Sequence, residues 1–377
     1  MKTVLILTST FPRSSHDTIP RFVLDLYKEL ISEYQVVVIA PHIPGTKTEE
    51  TLEGIKVHRI KYLPERFETL IGEGGIMSRI KQNRWNMLQV PFLLVTQLFA
   101  LLRFSRKYQP ESIHGHWVFY PGFLLWINSW FTKTPYTLTS HGSDLNVLSS
   151  RFFRFWSKRA LQSASKVITV SEDLAVKARD LGAQNIQVMP MGIQAGFTRV
   201  DRSQVNKNQI ISVGRLDRRK GFQYMIEAMP YLPKEYTYQI IGEGVDRGYF
   251  ESLIQKHALS DRVTLLGSKT LSDIQNYYRS AGCFILPSET EGFGLSVIEA
   301  MAAGVPVVVN AISTLEDHVK EGRGELVARE DPEDLAQAII RASEQPTEQI
   351  DQAKTYALQF TWSEIGKSVR DLYISVS

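Results

Sequence analysis

A chain of 377 residues is too long for one typical core and calls for two domains, while 43% hydrophobic and 22% charged residues exclude a disordered or low-complexity chain. Cys283 is the only cysteine, which excludes an intrachain disulfide and fits a reducing compartment. The net charge of +3 conceals an asymmetry: Met1 to Pro190 carry 23 Lys+Arg against 15 Asp+Glu, and the remainder 20 against 25, so the basic first half suggests an anionic partner such as a membrane surface or a phosphate-bearing acceptor.

The opening MKTVLILTSTFP is too short an apolar run for a signal peptide and lacks a small-residue cleavage site; it reads as a first buried strand, Val4 to Ser9. A loop, Thr10 to Pro20, leads to an amphipathic segment, Ile19 to Leu30, with Phe22, Val23, Leu26, Tyr27 and Leu30 on one face. Val36 to Ala40 is the next strand, giving the β/α/β start of a doubly wound sheet. Ile43 to Gln109 says least. Gly72 to Gly75 reads as a loop. Trp85 to Leu102 carries no charge over 18 residues, near the threshold for a membrane span. Its Asn86, Gln89, Pro91, Thr96 and Gln97 instead favour a buried or partly membrane-facing helix starting near Pro91. Arg79, Lys81 and Arg84 before it and Arg103, Arg106 and Lys107 after it could rest on anionic lipid.

Ile113 to Trp117 ends a short strand, Tyr120 to Trp130 reads as a helix, and the strand Tyr136 to Ser140 runs into His141-Gly142-Ser143-Asp144. A histidine followed by glycine at a strand end is expected to be exposed on the site face; for His116 and His141 the alternative is turn hydrogen bonding. Arg151 to Arg159, RFFRFWSKR, reads as a domain helix with a solvated basic face in preference to a membrane-interface helix. Val167 to Val170 leads into a helix capped by Ser171, and Ile186 to Ile193 closes the first domain.

The second domain opens with the strand Ile210 to Val213 and the turn at Gly214. Arg215 and Lys220 follow, five residues apart, before the helix Phe222 to Met229. Two cations at a strand's carboxyl end suit a diphosphate, Arg by fork geometry and Lys as a point charge. The alternative is a solvated charge run, which is the reading for Arg218 and Arg219. Gly242 to Gly248 is spaced G-x-G-x-x-x-G, a turn rather than a dinucleotide fingerprint. The strand Val263 to Leu266 precedes Gly267-Ser268-Lys269; Asp331 to Ala342 and Trp362 to Leu372 read as helices.

The most informative stretch is Cys283 to Asn310, CFILPSETEGFGLSVIEAMAAGVPVVVN. Its apolar strand, glycine-containing turn, helix from about Leu295 to Ala303 and second strand, Val305 to Val309, form a parallel β/α unit. The turn lies where open α/β sheets bind ligands, and the helix start suits an anion. Glu291 and Glu299 stand eight residues apart across it. Carboxylates repel a bare phosphate and accept well from sugar hydroxyls; the alternative is a capping glutamate and a solvated one.

The run E-G-F-G-L-x-x-x-E-A-M-A-x-G-x-P-V-V resembles the E-x7-E signature of retaining glycosyltransferases of the GT-B fold, glycosyltransferase family 4 or "glycosyl transferases group 1". The likeness covers nearly the whole second domain and isolated motifs of the first. It implies two Rossmann-like β/α/β domains facing each other across a cleft that closes over the donor: an acceptor-binding domain, 1–193 plus 360–377, and a nucleotide-sugar domain, 194–359. Val188 to Ile193 resembles the family's interdomain linker. By the same likeness Arg215 and Lys220, in G-R-L-x-x-x-K-G, neutralise the donor diphosphate, with Gly214 at the turn and the amides of Phe293, Gly294 and Leu295 assisting. Glu291 holds sugar hydroxyls, Glu299 the ribose, and Ser268 and Lys269 lie beside the base. His141, in H-G-x-D, lies against the donor sugar; His116 and Asp144 are candidates for the acceptor. Many members carry a Gly-Gly pair after the first strand; here Ser9, Thr10 and Arg13 occupy that loop, either as contacts to donor or acceptor phosphate or as a plain turn. The implied reaction moves a hexose from a UDP- or GDP-type sugar to a glycan or lipid-linked acceptor with retention, in cell-surface polysaccharide or glycolipid synthesis. No D-x-D motif occurs, so neither metal nor other cofactor is expected. The expected location is cytoplasmic, peripheral on the inner face of the cell membrane, with no nucleic-acid partner. The rival readings are a GT-B nucleotide-sugar epimerase or hydrolase and a non-catalytic nucleotide-sugar-binding subunit.

Overall fold

The computed structural model describes residues 2–15, 17, 21–72, 75–142, 144–145 and 151–376. The chain divides into two compact units, Met1–Met191 with Trp362–Ser377, and Gly192–Thr361.

In the first unit β1 (Lys2–Leu7), α1 (Phe22–Lys28) and β2 (Tyr34–Pro41) are followed by a hairpin, β3 (Glu49–Leu52) and β4 (Ile55–Ile60). Then come α2 (Gly75–Gln82), α3 (Val90–Tyr108), β5 (Ser112–His116), α4 (Tyr120–Asn128), β6 (Tyr136–Ser140), α5 (Arg151–Ser163), β7 (Lys166–Thr169), α6 (Glu172–Asp180) and β8 (Ile186–Val188). The sheet runs β3-β4-β2-β1-β5-β6-β7-β8, parallel except for the hairpin. Its central strands are apolar throughout because helices cover both faces: Val4 to Leu7 and Val37 to Ile39 are at most 1% exposed.

The second unit holds β9 (Asn206–Val213), α7 (Phe222–Ala228), β10 (Thr237–Ile241), α8 (Arg247–Lys256), β11 (Val263–Gly267), α9 (Leu271–Ser280), β12 (Ala281–Leu286) and α10 (Leu295–Ala302). β13 (Val307–Asn310), α11 (Ser313–Val319), β14 (Glu325–Val327), α12 (Pro332–Ser343) and α13 (Thr347–Leu358) complete it. All its strands are parallel, in the order β11-β10-β9-β12-β13-β14. The chain then returns as α14 (Trp362–Val376) to the first unit, where Trp362, Ile365, Val369, Leu372 and Tyr373 join the core around β1, β2 and α1.

Several local expectations shift. The first strand ends at Leu7, so Ser9 is already in the loop, and the first helix begins at Phe22; Thr18 to Pro20 lie outside the described residues. Gly75 opens α2 instead of closing a loop, and Glu73 and Gly74 are not described. The β3–β4 hairpin falls in the region that said least.

Candidate active site

In each sheet the strand order reverses at a central pair of strands. In the second unit that pair is β9 and β12, and the loops at their carboxyl ends border the crevice where such sheets take ligands. The loop after β9 is Gly214 to Gly221; the loop after β12 is Pro287 to Gly294. They are stitched together. The Glu289 amide donates to the Arg219 carbonyl at 2.8 Å, and the Asn310 side-chain amide holds the Ser288 carbonyl at 2.9 Å. Gly221 sits at φ 74°, and a Cβ there would lie 1.8 Å from the Pro287 carbonyl oxygen, so only glycine lets the loops close.

This closure joins two predicted residues. Lys220 Nζ lies 2.6 Å from Glu291 Oε1, which also accepts from Ser288 Oγ at 2.7 Å. Arg215 is exposed on the same loop. Arg219 is tied to Asp217 at 2.6 Å, and this hydrogen bond holds the Asp217 carboxyl down to about 2. Arg219 therefore serves the loop's own geometry, and Lys220 faces the crevice residues. Gly294 begins α10 in the left-handed region (φ 82°); among the described residues the amides of Gly294, Leu295 and Ser296 have no acceptor. His318 fixes the turn before them, its Nε2 meeting the Phe293 carbonyl at 2.6 Å while its ring packs on the buried Phe293 side chain.

Glu299 is only 9% exposed and its carboxyl has no hydrogen-bond partner among the described residues; burial pushes that carboxyl up to about 8. A largely buried carboxyl that no side chain or amide has claimed is open to a donor from a ligand. Ser268 and Lys269 follow β11, at the far edge of the same face, with Ser268 exposed and Lys269 half-buried.

In the first unit the central pair is β1 and β5. Contrary to the expectation of exposure, His116 is fully buried, because its ring lies in a stack: His114–His116 centroids are 4.7 Å apart and His116–His141 5.2 Å. Tyr27 Oη bonds His116 Nε2 at 2.8 Å and His114 Nδ1 at 2.7 Å; Tyr373 Oη bonds His114 Nδ1 at 2.6 Å; His116 Nδ1 meets His141 Nε2 at 2.9 Å. Burial holds His114 and His141 down to about 3 and His116 well below its ordinary value, so all three rings are neutral. His141 Nδ1 has no partner among the described residues, and a cavity of about 30 Å³ adjoins it, lined by Phe22, Thr139, Met189 and Trp362 among others. Trp117, held at φ 73°, a strained conformation for a bulky residue, packs on His141 at 5.0 Å.

Asp144 spends both oxygens on the loops. Oδ2 accepts from the Val118 amide at 2.8 Å; Oδ1 accepts from Ser140 Oγ and the amides of Gly142 and Leu145 at 2.8 to 3.2 Å. It braces the β5 loop against the β6 loop. Arg13 forms a two-pronged pair with Asp17, and Thr10 a tight turn with Thr8. The structure thus brings together Lys220 and Glu291 in one unit, and His116 and His141 in the other. Ser288, Asn310, His318, Tyr27 and Trp117 were not singled out from the sequence. Of these Ser288 stands three residues before the first glutamate of E-x7-E, Asn310 at the end of the same run and Trp117 beside His116, but nothing in the sequence says what they bond.

The "Glycosyl transferase 4-like domain" family model matches residues 18–192, and "Glycosyl transferases group 1" matches residues 197–360, so that the two together take in most of the chain. Among relatives, the chain is 29% identical over 293 residues to TuaC, the glycosyltransferase named for teichuronic acid biosynthesis in Bacillus subtilis (strain 168), covering 72% of each chain. Among solved structures it is similar to sucrose-phosphate synthase from Thermosynechococcus elongatus (TM-score 0.81, 21% identity, 100% of this chain and 99% of that one). It is also similar to Anabaena HepE in complex with UDP-glucose (TM-score 0.79, 18% identity, 100% of both chains). At these identities the structural likeness establishes the shared fold, GT-B.

Proposed function

The chain belongs to the group 1 glycosyltransferases, and from that premise we propose that it moves a hexose from a nucleoside-diphosphate sugar to a glycan or lipid-linked acceptor, with retention at the anomeric carbon and without a metal ion. The observation that carries the donor half is the crevice between β9 and β12. Lys220, held to Glu291 across the two loops, and the amides at the start of α10 border it, and Glu299 follows one turn into that helix with its carboxyl unpartnered among the described residues.

Arg215, Lys220 and the α10 amides take up the charge that grows on the diphosphate as the anomeric C–O bond breaks, the main electrostatic demand of the transition state. Glu291 trades its hold on Lys220 for sugar hydroxyls, and Glu299 accepts from the ribose. The acceptor oxygen bonds to the anomeric carbon on the face that the diphosphate leaves, and the departing phosphate oxygen takes the acceptor's proton. By the family likeness of the H-G-x-D turn, His141, neutral and held by His116, is the first unit's candidate for contact with the sugar. That HepE was solved with UDP-glucose supports a nucleotide-sugar donor, and TuaC's name supports a role in cell-surface polysaccharide. The reaction takes place in the cytoplasm, at the inner face of the membrane.

The test is the thermal shift of the purified chain with UDP, GDP, ADP and NAD in EDTA, beside Lys220→Ala. One nucleoside diphosphate at about 100 times its Kd adds roughly 2.7 kcal/mol, and Lys220→Ala removes most of that shift. With the matching sugar nucleotide the same variant loses about 10²- to 10³-fold in transfer rate. A shift with NAD alone, or none, sinks the donor site, and an inverted anomer in the NMR spectrum of the product sinks retention.

A further inference from the structure

Helix α3 is apolar on two faces. One packs into the unit: Leu93, Ala100, Leu101 and Phe104 are buried. The other carries Phe92, Val95, Phe99, Arg103 and Arg106, at spacings of three and four that align them on one side of a helix, and all five are exposed. Phe99 is 69% exposed, and Trp85, in the turn before the helix, 73%. Phe131, beyond α4, shares a groove with Phe99, Arg103, Arg106 and Lys107, and its neighbour Trp130 is equally uncovered. Apolar surface gathered on this scale marks a place where something docks.

Charge says what. Residues 75–163 hold 11 Lys+Arg and two acids, Glu111 and Asp144. Glu111 pairs with Lys2, and Asp144 is buried with its oxygens engaged. The apolar strip is therefore bordered by cations, with Arg154, Lys158 and Arg159 exposed on α5, which packs on α4; among the described residues neither acid of this stretch is free, and Glu49, which reaches toward Lys107 from β3, pairs with Lys56. A second copy of the chain on this face would bring like charges together.

We propose that this face seats the protein on an anionic lipid bilayer, the aromatic and aliphatic side chains entering the headgroup boundary and Arg103, Arg106 and Lys107 meeting acidic headgroups. Arg84–Tyr108, the turn and α3 together, is long and apolar enough to span a membrane, but the inner face of α3 is built into the core beside β1, β2 and β4, so spanning would strip the sheet of its cover. The helix lies on the membrane and does not cross it. This inference is independent of the donor site.

The experiment floats the full chain with phosphatidylcholine vesicles with and without phosphatidylglycerol. Binding is expected to the anionic vesicles, falling as salt is raised. Arg103→Gln/Arg106→Gln/Lys107→Gln weakens it by about a hundredfold, at about fivefold (~1 kcal/mol) per cation. Phe92→Ser/Phe99→Ser/Phe131→Ser weakens it without changing its salt dependence. Both variants keep the parent's Tm and far-UV circular dichroism, which shows that they fold. No flotation of the parent, equal flotation with neutral vesicles, or parent-like binding by both variants overturns the proposal. So does a parent dimer in sedimentation that the phenylalanine variant dissolves, since a second copy would then cover the face.

Discussion

At the scale of single residues, the second unit keeps two glutamates in opposite states. Glu291 is spoken for by Lys220 and Ser288, while Glu299 is buried alone. A carboxyl raised from 4.5 to about 8 in the folded chain favours its proton there, so its contribution to stability is complete below about pH 4.5 and is lost as pH rises through about 8. By pH 7 the loss is about 3 kcal/mol. Glu299→Gln should therefore raise Tm relative to the parent at pH 8 without ligand and leave it nearly unchanged at pH 5, while weakening nucleotide binding; equal Tm differences at both pH values would contradict a desolvated carboxyl. Both glutamates were legible because one contiguous run carries them. Ser288, Asn310 and His318 were not, because what makes them matter is a partner reached only through the fold: Asn310 reaches back 22 residues to Ser288 and His318 reaches 25 to Phe293.

Among the elements, the loops after β5 and β6 depend on one carboxylate. Asp144→Ala would leave the Ser140 hydroxyl and three amides without their acceptor, at a cost of about 3 kcal/mol, to be read as a lowered denaturant midpoint with unchanged slope. A loss below about 1 kcal/mol would mean that water replaces the carboxylate without penalty. The H-G-S-D run announced the turn, yet spacing alone did not say whether Asp144 faces a ligand or the chain. The parallel strands were legible as buried apolar runs and the helices at their ends by period. The β3–β4 hairpin was not, since β3 is an edge strand of only four residues, EETL, with one of them buried. α3 was placed near its true start by Pro91, but an uncharged helix does not declare from its sequence which of its apolar faces the fold will cover.

For the whole molecule, the two units answer acid differently. His114 and His116 are buried, His141 is half-buried with its Nδ1 enclosed, and all three are held neutral, so the stability they allow is present above about pH 6.5, the unfolded value, and is lost as pH falls toward 3, at about 1.4 kcal/mol per pH unit for each of the two buried rings. The second unit has one histidine shifted the same way, His318, and Glu299 acting in the opposite sense. Calorimetry at pH 5 should separate two transitions, the first unit melting lower, with the matching nucleotide diphosphate raising the upper one; a single transition at every pH would refute this division.

The return of α14 has a consequence for how the protein is made. Trp362, Val369 and Tyr373 are core residues of the first unit, and Tyr373 also bonds His114. A nascent chain therefore emerges with its first unit lacking one wall, and the whole second unit is synthesised and free to collapse before that wall arrives. The part translated first is finished last, and until then the histidine stack lacks one of its two tyrosines.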